Sequence, residues 1–196
     1  HGLTCLIADA ASTPAAKAFW QHTGLGASSR LAAIALGQEQ TASGSAAENA
    51  RSNVMERLKR IYRCERDAIS LHPSGMSALH RALQLITAIR SNRPVLQIGF
   101  PYVDVLKLPQ VVFNGAELLL DDSAASVSAA LERLQPSAVV VELPSNPLLR
   151  CIDLSTVARL AHQQGIPVIA DDTIGSGVNI DALPHADLVL SLIHIS

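Results

Sequence analysis

The sequence predicts an α/β fold on a mainly parallel sheet, and two observations carry that prediction. Short apolar runs, "VLQIGF", "AELLL", "AVVVEL", "IPVIA" and "ADLVL", recur along the chain with segments of helical period between them. "AVVVEL" is apolar without alternation, as a strand covered on both faces must be. Strands separated by helices join in parallel through βαβ units.

The elements follow in order from Arg51. "SNVMERLKRIYR" is amphipathic, with Val54, Leu58 and Ile61 on one face. "AISL" reads as a short apolar strand. "SGMSALHRALQLITAI" reads as a helix with Met76, Leu79, Leu83 and Ile86 at helical spacing. "VLQIGF" is a strand, "YVDVLKLPQ" a short helix or turn, and "AELLL" a strand. "SAASVSAALERLQP" is a helix stopped by Pro136, whose ring cannot continue it. "AVVVEL" is followed by the helix "DLSTVARLAHQQG", with Asp153 as N-cap and Gly165 as C-terminal stop. "IPVIA" and "ADLVL" complete the strands. Residues 1–49 read as an Ala-rich, irregular N-terminal segment closed by a mobile loop, "TASGSAAEN". Residues 50–196 are expected to form part of a larger domain.

Size and charge narrow the function. A chain of 196 residues, 48% hydrophobic, buries a core as one domain or one domain with an appendage. A net charge of −2 argues against nucleic acid or an anionic membrane surface as partner. No run is long enough to span a membrane and no charged-then-apolar leader opens the chain. Cys5, Cys64 and Cys151 form no CxxC pair, so buried thiols in a reducing cytoplasm are expected, without disulfide or zinc. The histidines form no HExxH and have no partner at ligand spacing, so no metal site is expected. The start at His1 is expected to be cut from something longer.

In open parallel sheets ligands bind beyond the carboxyl ends of the strands. "AISL" exits into "HPSGM", "VLQIGF" into "PY", "AVVVEL" into "PSNP" and "IPVIA" into "DDT". Taken singly, each is a common turn or cap. Taken together, they suit one ligand. Free N–H groups at a helix start bind phosphate, and Gly75 lets the backbone come close. Tyr102 can lie flat on an aromatic ring. Asn146 can donate to a phenolic oxygen, and Asp171 can pair with a protonated ring nitrogen. A phosphorylated pyridine wants all four. A dinucleotide is the weaker fit, because "GLGASS" is not GxGxxG and follows no strand.

"VVVELPSNPLLRCIDLSTVARLAHQQGIPVIADDTIGS" resembles, over its whole length, a segment of the Cys/Met-metabolism family of pyridoxal-phosphate enzymes. "HPSGMSALHRAL" is similar to that family's phosphate loop, and "FPYVDVLKL" to its "PY" segment. The resemblance covers roughly Arg51 to Leu190. The wording of "AKAFWQHTGLGASSR" and "FPYVDVLK" is similar to a long, fungal-type subgroup. The resemblance implies fold type I, the aspartate-aminotransferase-like fold, with pyridoxal 5'-phosphate as cofactor. Gly75 and Met76 would then offer backbone amides to the phosphate, with Ser74 beside them and Ser191 as a further phosphate ligand. Tyr102 would stack on the ring, Asn146 would contact the ring hydroxyl, Asp171 would keep the ring nitrogen protonated, and Thr173 would support the ring region. Asp172 stands where the family has Asn. The family's Y-x-R, which reaches a neighbouring subunit's phosphate, corresponds to Asn49 through Arg51.

The implied reaction is γ-replacement on an activated homoserine ester with cysteine as nucleophile, in methionine biosynthesis. Cystathionine cleavage and homoserine sulfhydrylation are the alternatives within the family; a non-catalytic cofactor-binding or interaction domain is the alternative outside it. The resemblance also implies small amino-acid substrates and a homo-oligomeric parent. The family's S-x-T-K should supply the Schiff-base lysine, but "SLIH" puts His194 there, and imidazole can neither form that bond nor replace the amine as base. This chain alone is therefore expected to be inactive. "LSLIHIS" is also what the bases CTG TCT CTT ATA CAC ATC TC encode, matching a transposase adaptor, so these last residues are expected to be foreign to the gene.

Overall fold

A computed structural model describes residue 5 and residues 7–40 and 43–192. Three helices come first: α1 (Thr13–Thr23), α2 (Ser29–Ala35) and α3 (Gly44–Tyr62). Then follow α4 (Gly75–Ile89), β1 (Val95–Ile98), α5 (Val103–Val112), β2 (Ala116–Leu119), α6 (Ala124–Leu134), β3 (Val139–Glu142), α7 (Leu154–Gln163), β4 (Val168–Asp171) and β5 (Leu188–Leu190). The strands form a five-stranded sheet in the order β2-β1-β3-β4-β5, and every pairing is parallel. Among the described residues no helix is long and apolar enough to cross a membrane.

The strands alternate their side chains between two cores. Leu96, Ile98, Val139, Val141, Val168 and Ala170 pack beneath α6 and α7, meeting Val127, Leu131, Val157 and Ala161. Val95, Val140 and Ile169 face the other way, onto Leu79 and Leu83 of α4 and Val105 and Leu108 of α5. One polar residue sits in the second core. Pro109 inside α5 has no N–H for the carbonyl of Val105, and the side chain of Gln97 donates to that carbonyl at 2.6 Å. Gln97 Oε1, buried with it, has no partner among the described residues.

The helix ends follow the sequence rules. Asp153 accepts from Thr156 N at 3.1 Å to cap α7, and Gly165 follows that helix in the left-handed region at φ 63°. α6 ends at Leu134, two residues before Pro136.

Three expectations are corrected. "TASGSAAEN" is no loop over its described residues: Ser43 caps α3 by accepting from Ala46 N, and the helix runs from Gly44 across the expected boundary at residues 49 and 50. Alanine, the strongest helix former, outweighs the small polar residues there. "AISL" forms no strand. A 3-10 turn (Arg66–Ala68) leads into irregular chain, and residues 69–71 line a cavity of about 720 Å³ together with Leu188 and Val189 of β5. Among the described residues the segment pairs with no strand. The thiols are not buried: Cys5 and Cys151 are exposed and Cys64 is half-buried.

The N-terminal segment also has structure its composition did not announce. α1 lies on α4 and α5, with Phe19 edge-on to His80. His22, 6% exposed, pairs with Asp104 of α5 at 2.8 Å.

Candidate active site at the strand ends

The strand order creates the site. From β1 the chain turns outward through α5 to β2, and from β3 it turns the opposite way through α7 to β4. The two connections leave neighbouring strands on opposite faces of the sheet and open a crevice between the exits of β1 and β3. Tyr102 stands on one side as N-cap residue of α5, and Asn146 on the other. Both line a cleft of about 440 Å³ with Phe100, Val103, Leu118 and Pro147, and both are exposed to it.

Glu142, the last residue of β3, lies between them. It is 5% exposed, and its carboxylate accepts from the backbone N–H of Tyr102 at 2.5 Å and of Asn146 at 3.2 Å. Burial raises its pKa, and the charge of Asp171 adds to that, while the two amides oppose it. In register beside it, Asp171 closes β4. Asp171 Oδ1 accepts from the N–H of Thr173 at 3.0 Å and from its hydroxyl at 2.6 Å. Its Oδ2 has no hydrogen bond among the described residues. Burial pushes the Asp171 carboxyl up, against the smaller pull of Thr173.

The following residue, Asp172, is buried. Tyr62, the last residue of α3, donates its hydroxyl to both oxygens at 3.0 and 3.1 Å, and Gly177 N adds a bond at 2.9 Å. Burial raises Asp172, opposed by the hydroxyls of Ser191 and Tyr62 and the Gly177 amide. Burial also pushes the Tyr62 phenol up to about 12. Among the described residues, none of Glu142, Asp171 and Asp172 has an ion-pair partner.

The start of α4 is a tight capping box: Ser74 Oγ accepts from Ser77 N at 3.1 Å, and Ser77 Oγ accepts from Ser74 N at 3.0 Å. Gly75 N and Met76 N, first in the helix, have no intrahelical acceptor. A Cβ on Gly75 would meet Leu192 at 2.8 Å, so the chain after β5 lies directly on this turn. Gly24, at φ 63°, packs on the other side; a Cβ there would lie 2.4 Å from Ser74 Oγ.

The structure thus brings Tyr102 and Asn146 into one cleft and Ser74, Gly75 and Ser191 into the wall of the larger cavity. Thr173 is bound to Asp171. The Met76 side chain packs against the second core, leaving only its amide for a ligand. Arg51 lies on α3, with its guanidinium 3.5 Å from the carbonyl of Leu71. His194 lies outside the described residues. Sequence reasoning missed the Glu142 bridge, the Tyr62–Asp172 pair and the docking of Gly24. A signal existed for the first: a carboxylate ending a run of doubly buried apolar residues needs partners.

A family described as "Cys/Met metabolism PLP-dependent enzyme" matches residues 28–192. Cystathionine γ-synthase of Neurospora crassa is 35% identical over 145 residues, covering 67% of this chain and 23% of that protein. L-2-amino-4-chloropent-4-enoate dechlorinase/desaturase of Streptantibioticus cattleyicolor is 30% identical over 183 residues, covering 86% of this chain and 37% of that protein. Among solved structures, metB of Corynebacterium glutamicum aligns with a TM-score of 0.53 at 24% identity, over 60% of this chain and 31% of that one, a likeness of fold. The chain spans under two-fifths of the length of these curated relatives. With this match over most of its length, the chain belongs to the Cys/Met-metabolism family of pyridoxal-phosphate-dependent enzymes.

Proposed function

We propose that the chain is the cofactor-binding part of a sulfur amino-acid enzyme of the cystathionine γ-synthase kind. The observation that carries the cofactor placement is Asp171, a carboxylate at a strand exit, with its pKa raised by burial, one oxygen held by Thr173 and the other without a hydrogen bond among the described residues. Such a group lacks a cation, and a pyridinium N–H supplies one. The remaining donors fit the rest of the molecule: two free amides at a helix start for a phosphate, an exposed phenol ring and an exposed amide across the crevice.

In this reading Asp171 keeps the ring nitrogen protonated, with Thr173 fixing the carboxylate. Tyr102 stacks on the ring, and Asn146 bonds its hydroxyl. The amides of Gly75 and Met76, with the hydroxyl of Ser74, take the phosphate. Bound there, the cofactor supplies an electron sink for charge developing on amino-acid carbons. The longer parent protein carries out γ-replacement on an activated homoserine ester with cysteine. The position that the resemblance gives to the amine nucleophile is His194, so the chain alone is inactive. The match to cystathionine γ-synthases, at about 35% identity, favours this activity over cleavage or sulfhydrylation.

Titration of the chain with pyridoxal phosphate, followed by cofactor fluorescence or equilibrium dialysis, tests the site. Saturable binding is expected, weakened roughly tenfold to a hundredfold by Asp171→Asn, the equivalent of one charged hydrogen bond. Equal affinity of both chains removes the argument. For the parent, the product formed from an O-acylhomoserine and cysteine separates replacement from cleavage.

A further inference from the structure

We propose that Glu142 is a positioning residue: a buried carboxylate clamp that fixes the distance across the crevice between Tyr102 and Asn146. The clamp rests on geometry alone, and its purpose rests on the cofactor site proposed above. Glu142 ends a central strand, bonded to β1 on one side and β4 on the other, so its backbone position is set by the sheet. Its side chain then reaches out of the sheet to two separate connections. Oε2 takes the amide of Tyr102 in the β1 exit, and Oε1 the amide of Asn146 in the β3 exit.

Burying a carboxylate this deeply without a cation is unfavourable unless N–H groups replace its water. Here the N–H groups it recruits belong to the two residues whose side chains flank the crevice. Both donors are backbone amides, so the clamp holds the connections themselves and lets the side chains at 102 and 146 vary independently of it.

The residue type is demanding. Both amides need an acceptor, and only a carboxylate offers two on one planar group. Glutamine would turn an N–H₂ toward one of them, and aspartate is one methylene too short to span both at once. The role therefore does not reduce to burial or volume.

The test uses Glu142→Gln, with Glu142→Asp as second variant should the first not fold. In the ligand-free chain, hydrogen exchange at the amides of Tyr102 and Asn146 is expected to be slow. In Glu142→Gln, exchange at one of them should accelerate by about tenfold or more, while the core amides of Val140 and Ile169 stay protected. Unchanged exchange at both sites overturns the clamp. The second readout is pyridoxal-phosphate affinity in a mutant cycle with Tyr102→Ala and Asn146→Ala. The effect of Glu142→Gln should shrink by about tenfold once both side chains are gone. Additive effects, or an unchanged affinity beside a faster amide, overturn the positioning role. If the unmodified chain takes up no pyridoxal phosphate, the cofactor reading fails and takes that role with it, whereas the exchange result still decides the clamp.

Discussion

Replacing Tyr62 by Phe removes a single hydroxyl. The ring remains packed against Gly177, where a Cβ would lie 2.6 Å from Tyr62 Cε1, so shape is conserved. What is lost is the donor to Asp172 at 3.0 and 3.1 Å. Asp172 is buried and retains the Gly177 amide, but its carboxylate loses a partner and gains no water. A hydrogen bond to a charged group contributes about 1.5–3 kcal/mol, which for a chain of this size lowers Tm by roughly 3–12 °C.

The penalty depends on pH. Burial already lifts the Asp172 carboxyl above the ordinary range, and the Tyr62 hydroxyl opposes that lift; without it the carboxyl rises further. A raised folded pKa means the folded chain holds more protons than the unfolded one between the two values. Stability then falls as pH rises through that window, and it falls further in the variant. The gap between the two proteins is therefore widest at pH above the raised carboxyl and narrows as pH falls toward the ordinary carboxylate range. Urea unfolding followed by circular dichroism at pH values in both ranges measures it. A gap independent of pH, or below about 0.5 kcal/mol throughout, would refute the reasoning.

Gly24→Ala combines the strain of a side chain at φ 63° with a clash on Ser74 Oγ, and is expected to destabilise by about 2–4 kcal/mol in thermal unfolding. Gln97→Leu leaves the Val105 carbonyl without a donor; because Pro109→Ala restores the missing helical N–H, the effect of Gln97→Leu should be about 1 kcal/mol smaller in that background. Asp171→Asn, which weakens pyridoxal-phosphate uptake, should stabilise the ligand-free chain. The carboxyl it removes has a raised pKa, so the gain is absent in acid and appears as pH climbs past the ordinary carboxylate range, a trend that unfolding at several pH values reads directly.

The five strands that formed were legible because each is an apolar run between turn residues, a pattern written most plainly in β1, β3 and β4, which are covered on both faces. The run at residues 68–71 carried the same signal, yet a strand also needs a neighbour, and pairing is a property of the whole sheet. The stretch from Ser43 failed in the opposite sense, since small residues suit a loop until a cap and successive alanines make them helical. Tyr102, Asn146 and Asp171 could be found by reading strand exits. Tyr62 and Gly24 could not: they reach the site from helices far away in sequence, through contacts that only the packed chain creates.

β5 is the shortest strand of the described sheet, and Asp171 sits next to it. The strand has three residues, none of them buried, and bonds to β4 alone among the described strands. In register, Leu190 lies beside Asp171, and its carbonyl accepts the Asp172 amide at 2.9 Å. An edge secured so lightly opens locally at far lower free energy than the doubly covered β3. Each opening admits water to Asp171 and relieves, for that moment, the burial that lifts its carboxyl. The acidity of Asp171 is thus a gauge of how often the edge frays: loosening β5 pulls its pKa back toward that of a free side chain, and pinning β5 drives it higher.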